Sequence, residues 1–416
     1  MTHLGGSSKL LRAMNDAAAL SHVLERGTLT RGDLRELTGL SKPTISEALR
    51  RLTEAKLVTV VGYVSAGPGP NAEVYAVNPD AAYSVALSVR DRTASSPPGA
   101  SPGASPGSDL PTVTAAVTDL AGTVRGRLEL AVDFTRTDPV SAVVDAVQDV
   151  CKEARIAPDP VAQVQIAVAG SYDVRTDVLH HVEVPGWGRP GLVDDLRRRL
   201  GVPVGVDNDV NLAAVAERAH GAGHDAESFA LLWLGEAGLG LAIDLGGTLL
   251  RGARGGAGEI GYMPMMLPGV TGGRGFTGRV DFQDLVGGGA VLDLAAEYGL
   301  QESTAAGTMA AAVARASERD DAARSFVTTL AGRIAIGLSA VVAVLDPPLV
   351  VIGGEVGQAG GPVLSTAVAT ALAEAAPLET AIATSTLHDD AALLGAQEAG
   401  RSAVRDTILA TLRRPA

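Results

Sequence analysis

Residues 28–56, TLTRGDLRELTGLSKPTISEALRRLTEAK, constrain the fold more than any other stretch of the chain. They read as two short helices joined by a tight turn. Thr30 is a predicted N-cap with Asp33 three residues on as its capping-box partner, so two helix-start donors are satisfied reciprocally. The helix is expected to run to Leu37 and stop at Gly39, which enters the left-handed region without a Cβ penalty. Ser41 is the next predicted N-cap, and Pro43 falls in the first turn that follows, where its missing N–H loses nothing. Ile45, Leu49 and Leu52 recur at helical spacing and should face inward. Lys42, Thr44, Ser46, Glu47 and Arg50, with Arg51 beside them, are left for the outer face or the leading end. Hydroxyls and long basic side chains there are within reach of phosphates and base edges if the helix enters a major groove.

The surroundings extend this pattern. A preceding amphipathic helix carries Leu10, Met14, Ala17, Leu20 and Leu24 on one side. After the pair, 57–64 and 73–77 read as the strands of a β-hairpin around Gly67, Pro68, Gly69 and Pro70. Three helices and a hairpin make a winged helix over residues 1–78. Its turn lacks a basic residue, so readout by the wing is expected to be weak. Residues 1–64 hold nine Lys/Arg against six Asp/Glu, about +3, whereas the chain as a whole is −13. A basic head on an acidic body fits a head that meets phosphate and a body that does not.

The remaining 338 of 416 residues are too many for a single small domain. No apolar run reaches the length of a membrane span, and MTHLGGSSKL lacks the apolar region of a signal peptide, so a cytoplasmic chain is expected. Cys151 is the only cysteine, which excludes an intrachain disulfide and a multi-cysteine zinc site. Aromatics make up 3%, too few for a platform that stacks single-stranded nucleic acid.

From residue 79 strands and helices alternate. Strands are expected at 84–89, 113–119, 124–130 and 164–168, and another should end at Val206 before a helix from about Val210. Segments 228–234 and 240–245 read as a hairpin, long helices as 281–299, 305–316 and 320–345, and 349–352 as a buried strand. Hairpins mixed with β–α units indicate an α/β body with partly antiparallel sheets. Residues 94–108 contain only Ala, Ser, Pro and Gly, with the sub-repeat GASPGASPG, and read as a mobile loop that cannot bury a core.

The body resembles the ROK family, which groups bacterial repressors and sugar kinases. The resemblance rests on VPGW at 184–187, GVPVGVDNDVNLAA at 201–214, LWLGEAGLG at 232–240, RGARGGAGEIGY at 251–262 and LVVIGG at 349–354. It implies a two-lobed, actin-like (ribonuclease H-like) α/β fold with a ligand between the lobes. The expected division is a small lobe over 79–206 and a large lobe over 207–416, with a C-terminal helix able to return to the small lobe. In family kinases an aspartate of an Asn-Asp pair removes the proton from the attacked sugar hydroxyl. The resemblance places that base at Asp209, with Asn208 beside it and Glu259 on sugar hydroxyls. Helix capping by Asp207, Asn208 and Asp209 is the alternative reading, compatible with the first.

Several family features are absent. The D-x-G-G-T phosphate turn is replaced by Ser88-Val89-Arg90-Asp91-Arg92-Thr93, and the second turn, G-T-G, by Gly235-Glu236-Ala237. Lost glycines keep the backbone from phosphate, and an acid there repels a polyphosphate. Tyr262 stands at the position of the family's zinc-site histidine and 263–284 contain no cysteine, so no metal is expected. Gln283 and Glu183 replace two further sugar-contacting residues, which leaves a half-preserved pocket of Asn208, Asp209, Glu259, Tyr262, Gln283 and Glu183. The expectation is therefore a repressor that binds double-stranded operator DNA as a homodimer or dimer of dimers, needs no cofactor, and responds to a sugar or sugar derivative, Asp209 being a vestigial base. Two alternatives stay open: an ATP-dependent sugar kinase, and a ligand-independent DNA-binding dimer.

Overall fold

The computed structural model describes residues 4–65, 71–91, 110–157, 160–182, 184–265, 280–375, 379–387 and 390–413. The tip of the wing turn, the 94–108 segment expected to be mobile, and Glu183 lie outside these residues.

The head comprises α1 (Leu4–Arg26), β1 (Thr28–Thr30), α2 (Arg31–Thr38), α3 (Lys42–Glu54), β2 (Val58–Val64) and β3 (Ala72–Val77), with the strands in antiparallel order β1-β3-β2. The caps form as the local sequence dictates. Thr30 and Asp33 make the full capping box, Gly39 takes φ 68°, and the Ser41 side chain accepts from Thr44 N–H. Leu34, Ile45, Leu49 and Leu52 are buried with Leu20 and Val23. The apolar side expected for α1 is buried only along its second half. Ala17, Leu20 and Leu24 are covered, but Leu10 and Met14 are 44% and 53% exposed. The first half of the helix runs past the elements that cover the second.

The first lobe contains β4 (Tyr83–Arg90), β5 (Thr112–Asp119), β6 (Val124–Ala131), α4 (Pro139–Glu153), β7 (Val161–Val168), β8 (Ser171–Asp173), β9 (Val178–His180), α5 (Leu192–Leu200) and β10 (Val204–Asn208). The main sheet has the order β10-β7-β4-β5-β6, parallel across β10, β7 and β4 and antiparallel from β4 to β6. Strand β4 is buried on both faces up to Val89, with Ser84 and Ser88 buried among its apolar residues, while the edge strand β6 alternates. Strands β8 and β9 pair as a small hairpin beside it.

The second lobe follows with α6 (Asp209–His220), β11 (Ser228–Leu234), β12 (Leu239–Leu245), β13 (Thr248–Leu249), β14 (Pro264–Met265), β15 (Val280–Asp281), α7 (Gln283–Val286), α8 (Gly288–Glu297), α9 (Ala305–Ser317), α10 (Asp321–Leu345), β16 (Leu349–Gly353), α11 (Gly354–Ala375) and β17 (Ala381–Thr384), after which α12 (Ala391–Arg413) returns to the first lobe's sheet. Its sheet has the order β13-β12-β11-β16-β17. The single helix expected over 281–299 is two helices. Gly287 adopts extended geometry (φ −67°, ψ 163°) between α7 and α8, and Gly288 lies against the Glu236 carbonyl, where a side chain would not fit. Helix α10 has the length and hydropathy to cross a membrane, but half of that apolar window is buried. Phe326, Leu330, Ile334 and Leu338 place it in the core of the second lobe.

Helix α12 joins the parts. It packs against α6 and across β4, β5 and β7, then continues to α1. Val404 is buried in the head's own apolar cluster, with Ile408, Leu409 and Leu412 packed against it and Leu120 contributed from the first lobe.

Candidate functional site

On the head, Lys42, Glu47 and Arg50 are exposed on α3, with Thr44 and Ser46 partly so. The Ser41 and Thr44 hydroxyls are 2.8 Å apart at the leading end. The two arginines are engaged within the chain. Arg50 donates to both Glu47 oxygens at 3.0 and 2.6 Å and also pairs with Glu54. Arg51 turns back to α1, donating to Asp16 at 2.8 and 2.6 Å, and reaches Glu47 at 3.1 Å. Its guanidinium pKa is raised, first by the Asp16 hydrogen bonds. Arg51, grouped with the outer-face residues on sequence, is thus a strut that fixes α3 on α1.

The lobes meet at the junction of β10 and α6. Asn208 is the N-cap of α6: its Oδ1 accepts from Val210 N at 2.9 Å and Asn211 N at 3.2 Å, and its Nδ2 donates to the Gly170 carbonyl at 3.2 Å. The capping reading of Asn208 therefore holds, and its Nδ2 is held facing the β7–β8 turn. Asp209 opens α6. Burial raises its carboxyl pKa; the Val210 N–H and the Arg90 charge oppose this, while Glu355 adds to it. Asp207 anchors the junction, accepting from Asn211 Nδ2 at 3.0 Å and from Arg251 Nε at 2.8 Å.

Opposite this junction, Glu259 of the second lobe accepts a hydrogen bond from the Ser171 hydroxyl of the first. Three residues on, Tyr262 places its ring 5.3 Å from that of His181, its hydroxyl 3.5 Å from His181 Nδ1. His181 adopts a left-handed backbone conformation, φ 57°. The Gln283 amide oxygen stands beside Gly261 of the same turn. Asn208 is thus bonded to Gly170, whose neighbour Ser171 reaches Glu259, while Tyr262 and Gln283 belong to or border the turn that follows Glu259. Ser171, His181 and Arg251 were not singled out on sequence. The strand ending at Gly170 marked a turn before Ser171, but nothing local indicated its partner across the lobes.

The two altered phosphate turns have new bonding. Arg90 pairs with Asp390, which also takes Arg127. Glu236 directs its carboxylate to the N-terminus of α9, accepting from Ala305 N at 2.9 Å and Ala306 N at 2.6 Å. The helix-start donors that could hold a phosphate oxygen are filled by an anion of the chain itself. A family-type zinc site does not fit either. Tyr262 is no zinc ligand here, Cys151 is buried in the core of the first lobe, and the described residues contain no cluster of metal-ligating side chains.

Comparison with known proteins places these parts. The model of the ROK family matches residues 111–399, and that of the MarR family residues 11–62. The chain is 30% identical to a glucokinase of Halalkalibacterium halodurans over 48% of its length and 63% of the relative's. It is 22% identical to a xylose repressor of Bacillus subtilis over 61% of each. The chain thus spans about three-fifths of these relatives. A crystal structure of a ROK family transcriptional regulator, a homologue of the E. coli MLC protein, superposes with TM-score 0.72 at 17% identity, covering 97% of this chain and 99% of that one. The same fold therefore extends from head to C-terminal helix, and the family match covers more than half of the residues: this chain belongs to the ROK family.

Proposed function

We propose that the chain is a DNA-binding transcriptional regulator, acting as a repressor in the cytoplasm, whose DNA affinity is tuned by a sugar or sugar-like ligand held between the lobes. A homodimer presents two winged helices to two half-sites. The observation that carries the reading is the course of α12, which packs on α6, the helix that begins with Asp209, and runs on to pack Val404 into the apolar core of the head. A ligand that shifts α6 against the first lobe thereby acts on the seating of the reader. Coupling of this kind is a difference in affinity between two arrangements, of about 1–3 kcal/mol. The relative named a xylose repressor supports the reading.

Asp209 favours a second reading, an ATP-dependent sugar kinase, as does the relative named a glucokinase. A carboxylate beside a bound hydroxyl is the group such chemistry needs as its base. We favour loss of the activity because Arg90 has replaced a glycine-rich turn and Glu236 occupies the α9 donors. The test is enrichment of duplexes from a random-sequence library by the full chain, followed by titration of the enriched duplex with sugars and sugar phosphates. An enriched site whose affinity one sugar shifts by about fivefold or more supports the proposal. Failure to enrich any duplex, or sugar phosphorylation abolished by Asp209→Asn, overturns it.

A further inference from the structure

The outer face of α3 is unusual for a nucleic-acid reader because carboxylates already hold its arginines. Glu47 grips Arg50 through both oxygens and touches Arg51, Glu54 holds Arg50 from the other side, and Asp16 holds Arg51. Among the described residues, Lys42 is the only cation of α3 with no ion pair to an acid. Glu47 and Arg50 are each about half exposed, so the pair lies where a duplex would approach rather than in the core.

We propose that Glu47 is a specificity-determining residue, an internal competitor for phosphate that suppresses sequence-independent binding and reads cytosine when Arg50 moves to guanine. The inference rests on the functional reading above. A backbone phosphate offers Arg50 an acceptor no better suited than the carboxylate it already has. Taking it also leaves Glu47 facing a second negative charge without its partner. Every duplex meets this penalty. A G·C pair offsets it on both sides: guanine O6 and N7 match the two donors of Arg50, and the cytosine N4 amino group donates to a carboxylate. Glutamine cannot act in the same way, because its amide pairs favourably with phosphate and with adenine. The Arg50 hydrogen bond holds the Glu47 carboxyl at about 2, so the competitor stays charged throughout the neutral range. Glu54 acts on Arg50 from the following turn and is a weaker version of the same restraint.

The experiment compares the full chain with Glu47→Gln and Glu54→Gln, using two probes at fixed salt: a mixed-sequence duplex and the duplex enriched by the unmodified chain. Glu47→Gln is expected to tighten mixed-sequence binding and to reduce the ratio of enriched to mixed affinity by about tenfold, the size of one lost base contact. Its salt dependence on the mixed duplex should steepen by about one phosphate. Glu54→Gln should move both quantities the same way by less. Duplexes enriched by Glu47→Gln should lose a cytosine that the unmodified chain selects. Equal change on both probes, or unchanged mixed-sequence binding, overturns the proposal while leaving DNA binding intact. Failure of the unmodified chain to enrich any duplex instead overturns the functional reading on which it rests.

Discussion

Gly395 of α12 lies so close to Leu212 of α6 that a methyl group built on it would overlap the Leu212 carbonyl oxygen. The two helices touch backbone to backbone at this point, and neither can be displaced without the other. Gly395→Val forces them apart. It is expected to destabilise the chain by about 1–3 kcal/mol or more, as overpacking of a tight core does. Thermal unfolding measures the loss, and an unchanged Tm would show that α12 is not seated on α6 as described.

Ser171→Ala removes the donor that Glu259 holds across the lobes. Without ligand the variant should be less stable by about 0.5–1.5 kcal/mol, the net value of one hydrogen bond. A sugar that donates a hydroxyl to Glu259 no longer has to displace Ser171, so it should bind up to about tenfold more tightly. Calorimetric titration with the sugar found in the library experiment tests this; weaker binding would make Ser171 a ligand contact instead of a competitor.

Glu236→Ala leaves the first donors of α9 without their anion. Stability should fall by about 0.5–2 kcal/mol, as for loss of a helix cap. No kinase activity should appear, because Arg90 still holds the other turn through Asp390. A coupled assay with ATP and common hexoses checks the second expectation, and turnover by Glu236→Ala alone would place the block to catalysis at that single side chain.

Glu217 is buried, bonded to the Ser385 hydroxyl and to Ala222 N–H. Burial raises its carboxyl pKa above the ordinary 4.5, while the two hydrogen bonds act the other way. A raised value means that the folded chain binds this proton more tightly than the unfolded chain. The contribution of Glu217 to stability is therefore largest at pH below 4.5 and falls as pH rises through the raised value. Glu217→Gln should flatten that part of the Tm-against-pH curve while retaining an acceptor for Ala222 N–H. Parallel curves for the two proteins would exclude Glu217 as its source.

The head was legible because its determinants are local. Thr30 with Asp33, Gly39, and Ser41 with Thr44 act over three residues or fewer, and each formed as the sequence implied. The halves of α1 were not separable by periodicity, since Leu10 and Leu20 belong to one stripe and only the surroundings expose the first. The break at Gly287 was missed because apolar residues keep helical spacing through it, while backbone geometry changes at a single glycine. Asn208, Asp209 and Glu259 are candidate site residues only through the family resemblance. Ser171 was not among them, because the residue that defines its role is 88 positions away. The engagement of Arg51 by Asp16 was hidden similarly, by 35 positions.

The course of α12 also sets an order of events during synthesis. The head precedes both lobes in the chain and leaves the ribosome before them, yet Val404 and the residues around it complete one wall of its core. Until α12 has been made, the nascent head lacks that wall, and its helices stand on an unfinished support. A message cut short before residue 404 therefore yields a chain whose head is incomplete however well its lobes fold. The head is finished last although it was made early.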